Sequence, residues 1–174
     1  IENAAREPEV TDLARMLTKM GAIIEGAGTD RIVVHGVKSL GPAKHTIIPD
    51  RIEAGTFIMA AGITGGTITI KNCPTSYLES AISKLTEAGL EFHNKTDNTL
   101  IVKAPTTLKS TDIITAPYPG FATDLQAQFM ALMTIAEGTS IITETIFENR
   151  FMHAGELKRL GADITIEGPT AIVK

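Results

Sequence analysis

Three stretches of the chain place charged side chains where an extended run gives way to a helical pattern. They are "AAREPEV" with Arg6, Glu7 and Glu9, "IIPDRIEAGTF" with Asp50 and Arg51, and "ATDLQAQF" with Asp124. A carboxylate at the mouth of a helix can complement the helix dipole, worth about 0.3–1 kcal/mol at an exposed site. It can also take a proton from a substrate hydroxyl at the edge of a cleft. In "ATDLQAQF" Thr123 can cap the helix and Gln126, three positions on, can reach back to it as a capping box, which puts Asp124 at the first helical position. Both readings stand for Asp124. Asp50 and Arg51 can pair with each other or cap their helix, and Glu7 and Glu9 fit an ordinary solvated helix start. Arg150, beside Asn149 in "TIFENRFMH", can bind an anion or join an intramolecular ion pair.

Other residues with reactive or ligand-binding types have weaker patterns. Cys73, the single cysteine, is followed by Pro74 and has no histidine close in sequence, so a turn fits better than a prepared thiolate nucleophile. "GITGGT" (62–67) follows a helical run and precedes a strand, the reverse of a phosphate loop, and reads as a tight turn. The four histidines are scattered, and none has a second His or Cys at metal-ligand spacing.

The elements that position these residues emerge from an internal repeat. Phe57 matches Phe129, Gly66-Thr67 matches Gly138-Thr139, and Gly89 matches Gly161, each 72 residues apart, while Gly21 lies 68 residues before Gly89. Each unit reads as an extended run ("HTIIP" or "TDIITAP"), an apolar helix closed by Gly, and an alternating β-branched strand. An amphipathic helix and a two-strand hairpin complete it, in the order β-α-β-α-β-β. The amphipathic helices carry Val10, Leu13, Ala14, Leu17 and Met20, and then Leu78, Ala81, Ile82 and Leu85, at i, i+3, i+4, i+7 spacing. Each ends in a glycine suited to the left-handed position, and hairpin turns are expected at "GAGTD", "NKTDN" and "EGPT". Ile1-Glu2-Asn3, Ile70-Lys71-Asn72 and Phe147-Glu148-Asn149 occupy one place in the repeat, so residue 1 falls halfway through a unit. The chain therefore reads as two full units plus the back half of a third, an α/β fold of α+β type. The apolar helices are expected between the sheets and the amphipathic ones outside. "KSLGPAK" (38–44) is the expected crossing between lobes.

Composition sets the remaining bounds. With 174 residues, 43% hydrophobic and 21% charged, the chain can bury a core without disulfides or metals. A formal net charge of −4 removes the bulk electrostatic case for a nucleic-acid partner but leaves room for a small anion held by local donors. The apolar runs are too broken for a membrane span, and "IENAAREPEV" has no signal pattern, which fits a soluble cytoplasmic protein.

Taken together, "PDRIEAGTF", "TDLQAQFMAL", "ITETIFENRFMH" and "ELKRLGA" make the chain resemble the UDP-N-acetylglucosamine 1-carboxyvinyltransferase family of enolpyruvyl transferases over essentially its whole length. The resemblance implies two lobes, each of three β-α-β-α-β-β units around buried helices, an inside-out α/β barrel. Residues 1–47 would be the tail of one lobe and 48–174 two units of the other, with the remaining lobe segments as partners. The implied reaction transfers the enolpyruvyl group of phosphoenolpyruvate to the 3-hydroxyl of UDP-N-acetylglucosamine, the first committed step of peptidoglycan synthesis, with release of phosphate and no metal or organic cofactor. Asp124 matches the family's acid near the sugar hydroxyl, and Ile146 a position whose backbone contacts the same sugar nucleotide. Asp50 and Arg150 match residues near the cleft, and Glu7 and Glu9 do so more loosely. The family's reactive cysteine, its phosphoenolpyruvate-binding lysine and its main phosphate-binding arginines lie in segments absent here, and Cys73 does not match that loop. The isolated chain is therefore expected to be inactive. The alternatives are the shikimate-pathway enolpyruvyl transferase, which shares the fold, and a repeat-built binding module without chemistry.

Overall fold

The computed structural model describes residues 1–96 and 98–174. Asp97, at the tip of the expected "NKTDN" turn, lies outside the described residues. By its internal contacts the chain forms two compact units, Ile1–Pro49 with Pro117–Pro119, and Asp50–Ala116 with Gly120–Lys174.

The first unit has helix α1 (Pro8–Lys19) and a two-stranded antiparallel hairpin, β1 (Ile23–Glu25) and β2 (Val33–His35), around the expected "GAGTD" turn. The face that α1 buries differs from the apolar stripe read from spacing: Leu13 is exposed, while Asp12 is buried with Pro8 and Ala14. Asp12 Oδ1 lies 3.0 Å from His45 Nε2, and the carboxylate also accepts the Ile48 backbone N–H. These bonds accompany a second difference. The "HTIIP" run (45–49) forms no strand and is instead tied to α1, by the His45 side chain and the Ile48 N–H on the Asp12 carboxylate.

The second unit contains the helices and sheets of both full repeats, as two open sheets; among the described residues no barrel closes. In the first repeat, α2 (Arg51–Ile63), β3 (Thr67–Lys71) and α3 (Glu79–Glu87) precede the hairpin β4 (Glu91–Thr96) and β5 (Thr99–Lys103), giving an antiparallel sheet in the order β3, β5, β4. The second repeat has β6 (Ile113–Ile114), α4 (Gln126–Met133), β7 (Ser140–Thr143), α5 (Met152–Arg159), β8 (Ile164–Glu167) and β9 (Thr170–Val173). Its sheet runs β6, β7, β9, β8, with β6 parallel to β7. The Gly168-Pro169 turn joins β8 to β9, where the "EGPT" turn is expected.

Backbone geometry repeats with the sequence. Gly21, Gly89 and Gly161 have φ of 104°, 103° and 104°. Each follows its helix with the paired 5→2 and 6→1 hydrogen bonds of a Schellman motif, as in Gly89 N–H to Thr86 O and Leu90 N–H to Leu85 O. Asn3, Asn72 and Asn149, the last members of the three matching triplets, are all left-handed, with φ of 51°, 54° and 56°. Asparagine tolerates that conformation better than other non-glycine residues, since its short amide can bond locally.

The core of this unit is built on α2 and α4. Ile58, Met59, Phe129, Met130, Leu132 and Met133 are at most 2% exposed. The two helices approach closely because α2 offers glycines: a Cβ on Gly55 would lie 2.8 Å from Leu125, and one on Gly62 3.0 Å from Leu132. Gln128 Nε2 donates to Thr56 Oγ1 at 3.0 Å across the same packing. Leu78, Ala81 and Leu85 of the amphipathic α3 segment are buried, as their spacing predicts. Among the described residues no helix is long and apolar enough to cross a membrane.

Candidate functional site

Asp124 sits in a 3-10 turn, Thr123–Leu125, which leads into α4. The capping box expected here does not form. Thr123 Oγ1 donates to Glu144 Oε2 at 2.8 Å, and Gln126 is fully buried with neither amide atom hydrogen-bonded. The apolar run that follows takes Gln126 into the core, out of reach of the Thr123 backbone, and the Thr123 side chain is turned toward the buried Glu144 carboxylate. Asp124 is thus not committed to capping. Its Oδ1 accepts from Arg150 Nη2 at 2.6 Å, with the two side chains 57% and 35% exposed.

Arg150 is held from a second side, its guanidinium carbon 4.8 Å from the centroid of the Phe147 ring. Arg150, Ile146 and Phe147 line an open cleft of about 740 Å³ with Glu144, Met152 and Pro169. The turn before α4 and the loop after β7 therefore bring Asp124 to Arg150, 26 residues apart in sequence, and Arg150 shares its cleft with Ile146. Both halves of the pair keep solvent access, as a site for a soluble substrate requires.

The other candidates are placed differently. Asp50 caps α2, its Oδ1 accepting from the backbone N–H of Ile52 at 2.7 Å and of Glu53 at 3.1 Å. Of its two readings, the cap is the one the geometry shows. Glu7 and Glu9 belong to the first unit, at the start of α1. Glu7 makes no side-chain cap; its Oε1 accepts weakly from Tyr118 N–H at 3.5 Å, and its Oε2 is buried without a hydrogen bond. Cys73 is 1% exposed, and burial pushes its thiol pKa up, away from thiolate reactivity.

Two residues near the pair escape a reading of sequence spacing. Glu144, in "ITETIF", is 4% exposed. Burial opposes its charge, but the N–H groups of Ile146 and Phe147 and the hydroxyls of Thr123 and Thr115 outweigh it, holding its carboxyl below the usual range. His153 has a buried Nε2 without a hydrogen bond. Burial, and secondarily the charge of Arg150, lower its pKa.

Comparison with known proteins gives this geometry its context. The family model described as EPSP synthase (3-phosphoshikimate 1-carboxyvinyltransferase) matches residues 1–174. The chain is 60% identical over all 174 residues to the UDP-N-acetylglucosamine 1-carboxyvinyltransferase of Geotalea uraniireducens, spanning 42% of that protein. It is 58% identical over 173 residues to UDP-N-acetylglucosamine 1-carboxyvinyltransferase 1 of Caldanaerobacter subterraneus, spanning 41%. The crystal structure of the enolpyruvyl transferase NikO from Streptomyces tendae superposes with a TM-score of 0.87 at 28% identity, over 99% of this chain and 41% of that one. An EPSP synthase from Acinetobacter baumannii shares the fold, with a TM-score of 0.68 at 22% identity over 92% of this chain and 39% of that one. The chain belongs to the EPSP synthase family, the carboxyvinyl (enolpyruvyl) transferases. It spans about two fifths of the length of these relatives.

Proposed function

We propose that the chain is part of a longer enolpyruvyl transferase that moves the enolpyruvyl group of phosphoenolpyruvate onto the 3-hydroxyl of UDP-N-acetylglucosamine, in peptidoglycan synthesis in the cytoplasm. The observation that carries this reading is the Asp124–Arg150 pair, a partly exposed carboxylate held at 2.6 Å beside an open cleft. Arg150 takes one carboxylate oxygen and leaves Oδ2 for a ligand. A sugar hydroxyl is too weak an acid to ionise near neutral pH, so a fixed carboxylate shares its proton as the oxygen attacks C2 of phosphoenolpyruvate. C3 takes a proton as the O–C2 bond forms, and the tetrahedral adduct then loses phosphate from C2 and a proton from C3 to restore the double bond of the enolpyruvyl group. The Ile146 N–H is already bound to Glu144, which leaves its carbonyl for the sugar nucleotide. Asp50 has a structural role as the cap of α2 rather than that of a proton carrier, and Glu7 and Glu9 stay with the start of α1 in the first unit.

The family description names 3-phosphoshikimate as acceptor, whereas relatives at 60% and 58% identity carry the UDP-sugar name; the identity favours the UDP-sugar. Asp124→Asn in the longer protein tests the reading. It removes the base but keeps the shape, and kcat should fall about 10²–10⁴-fold. Stability should change by less than ~1 kcal/mol, because an ion pair this exposed is worth little. Phosphate release would be followed with UDP-N-acetylglucosamine and with shikimate 3-phosphate as alternative acceptors. A variant with unchanged kcat sinks the catalytic role, and turnover with shikimate 3-phosphate alone sinks the choice of acceptor.

A further inference from the structure

Glu144 stands just past the end of β7, where a glutamate could extend into water at no cost, yet it is 4% exposed. A buried carboxylate without a cation is expensive unless its lone pairs are filled. Here they are filled by four donors. Oε1 accepts from Thr115 Oγ1 at 2.8 Å, from Ile146 N–H at 2.8 Å and from Phe147 N–H at 3.2 Å, and Oε2 accepts from Thr123 Oγ1 at 2.8 Å.

These donors come from three separate segments, the end of β6, the turn before α4 and the loop after β7, and Glu144 is a side chain bonded to all three. Thr115 follows β6, and its hydroxyl in turn accepts the Thr145 N–H at 2.9 Å. Thr123 is the residue before Asp124. Ile146 and Phe147 open the loop that carries Arg150, and Phe147 is the ring against which that guanidinium packs. The carboxylate itself is anchored by its backbone, Glu144 N–H donating to Pro169 O at 2.8 Å in the β8–β9 turn.

We infer that Glu144 is the positioning residue of the Asp124–Arg150 site, one carboxylate that sets the turn bearing the acid and the loop bearing the base's cation in register. The inference rests on the functional reading of Asp124 given above. An ionised carboxylate suits this role because it offers acceptors in both directions and donates nothing. A glutamine presents an NH₂ in place of one oxygen, so either the loop amides lose their acceptor or the Thr123 hydroxyl must turn round to accept, and the geometry of Thr123 and the loop shifts with it.

The test uses the longer protein and UDP-N-acetylglucosamine-dependent phosphate release from phosphoenolpyruvate. Glu144→Gln should lower kcat about 10²-fold, the cost of roughly an ångström of misplacement. Thr123→Val should lower kcat in the same direction, and Thr123→Ser, which restores the hydroxyl, should recover it. If Glu144→Gln does not fold, the valine–serine contrast at Thr123 decides alone. A merely structural role predicts a lower Tm with kcat per folded molecule unchanged in both Glu144→Gln and Thr123→Val, and that result overturns the inference while leaving the functional reading intact. A wild-type protein without sugar-nucleotide-dependent phosphate release overturns both.

Discussion

His153 lies three residues past Arg150, with its Nε2 buried and unpaired. Burial and the neighbouring guanidinium charge lower its pKa from the ordinary value. In the unfolded chain the imidazole protonates near its usual value of about 6.5, while the folded state resists protonation until lower pH. The unfolded state then binds more protons across that window, so stability is fully present above about pH 6.5 and declines as pH falls towards the depressed folded value. Replacing His153 with Gln removes this titration. Urea midpoints measured from pH 8 to pH 5 should decline less in His153→Gln than in the wild type, and equal slopes would show that His153 titrates alike in both states. At this scale the sequence was legible where a residue acts on its near neighbours. Asp50 capping Ile52 and Glu53 is a two- and three-residue relation. Asp124 meeting Arg150 spans 26 residues and Thr115 meeting Glu144 spans 29, so spacing along the chain carries no sign of either. "TET" at the end of a strand looks like three solvated positions, which is why the buried acid at its centre is invisible without the fold.

Elements were readable wherever a repeat imposed the same local demand twice. The left-handed glycines after α1, α3 and α5 and the left-handed Asn3, Asn72 and Asn149 mark equivalent turns, because few residue types accept that backbone. The "HTIIP" segment shows the opposite: a β-branched run with the right neighbours is no strand, and its Ile48 N–H and His45 ring go to the Asp12 carboxylate instead. Close packing of α2 on the turn before α4 is a further property that composition conceals. Gly55 leaves room for Leu125, and an added Cβ would sit 2.8 Å from both of its methyl carbons. Alanine gains about 1 kcal/mol of helix propensity over glycine, but overpacking a full core costs about 1–3 kcal/mol. Leu125 is 1% exposed and has little space to yield. Gly55→Ala should therefore destabilise the protein modestly, despite its better propensity. Leu125→Ala alone should cost about 2–5 kcal/mol, and the double variant should be less destabilised than the sum of the two, since the new methyl occupies part of the vacated volume. A double-mutant cycle by urea unfolding at constant m measures the coupling, and strict additivity would show that the two side chains do not share that space.

At the scale of the molecule, the relation between this chain and catalysis follows from charge. The reaction proposed for the longer protein brings a phosphorylated enol and a sugar nucleotide, both anionic, to one site and places further negative charge on the phosphate as it leaves. Such charge must be met by fixed donors, and removing a single well-placed one typically costs about 10²–10³ in kcat. The chain spans 42% of a relative that is 60% identical to it. In its cleft the arginine that could serve is already engaged by Asp124 at 2.6 Å. With a net charge of −4 the chain also offers no general electrostatic attraction to compensate. The 174-residue chain assayed alone, with both substrates at saturating concentration, should therefore release phosphate no faster than a no-enzyme control. Circular dichroism on the same sample would show whether secondary structure is retained, so that inactivity can be assigned to absent countercharges rather than to unfolding. Rates comparable to those of the longer protein would mean that Asp124, Arg150 and the cleft beside them suffice, and that the cations supplied from elsewhere are dispensable.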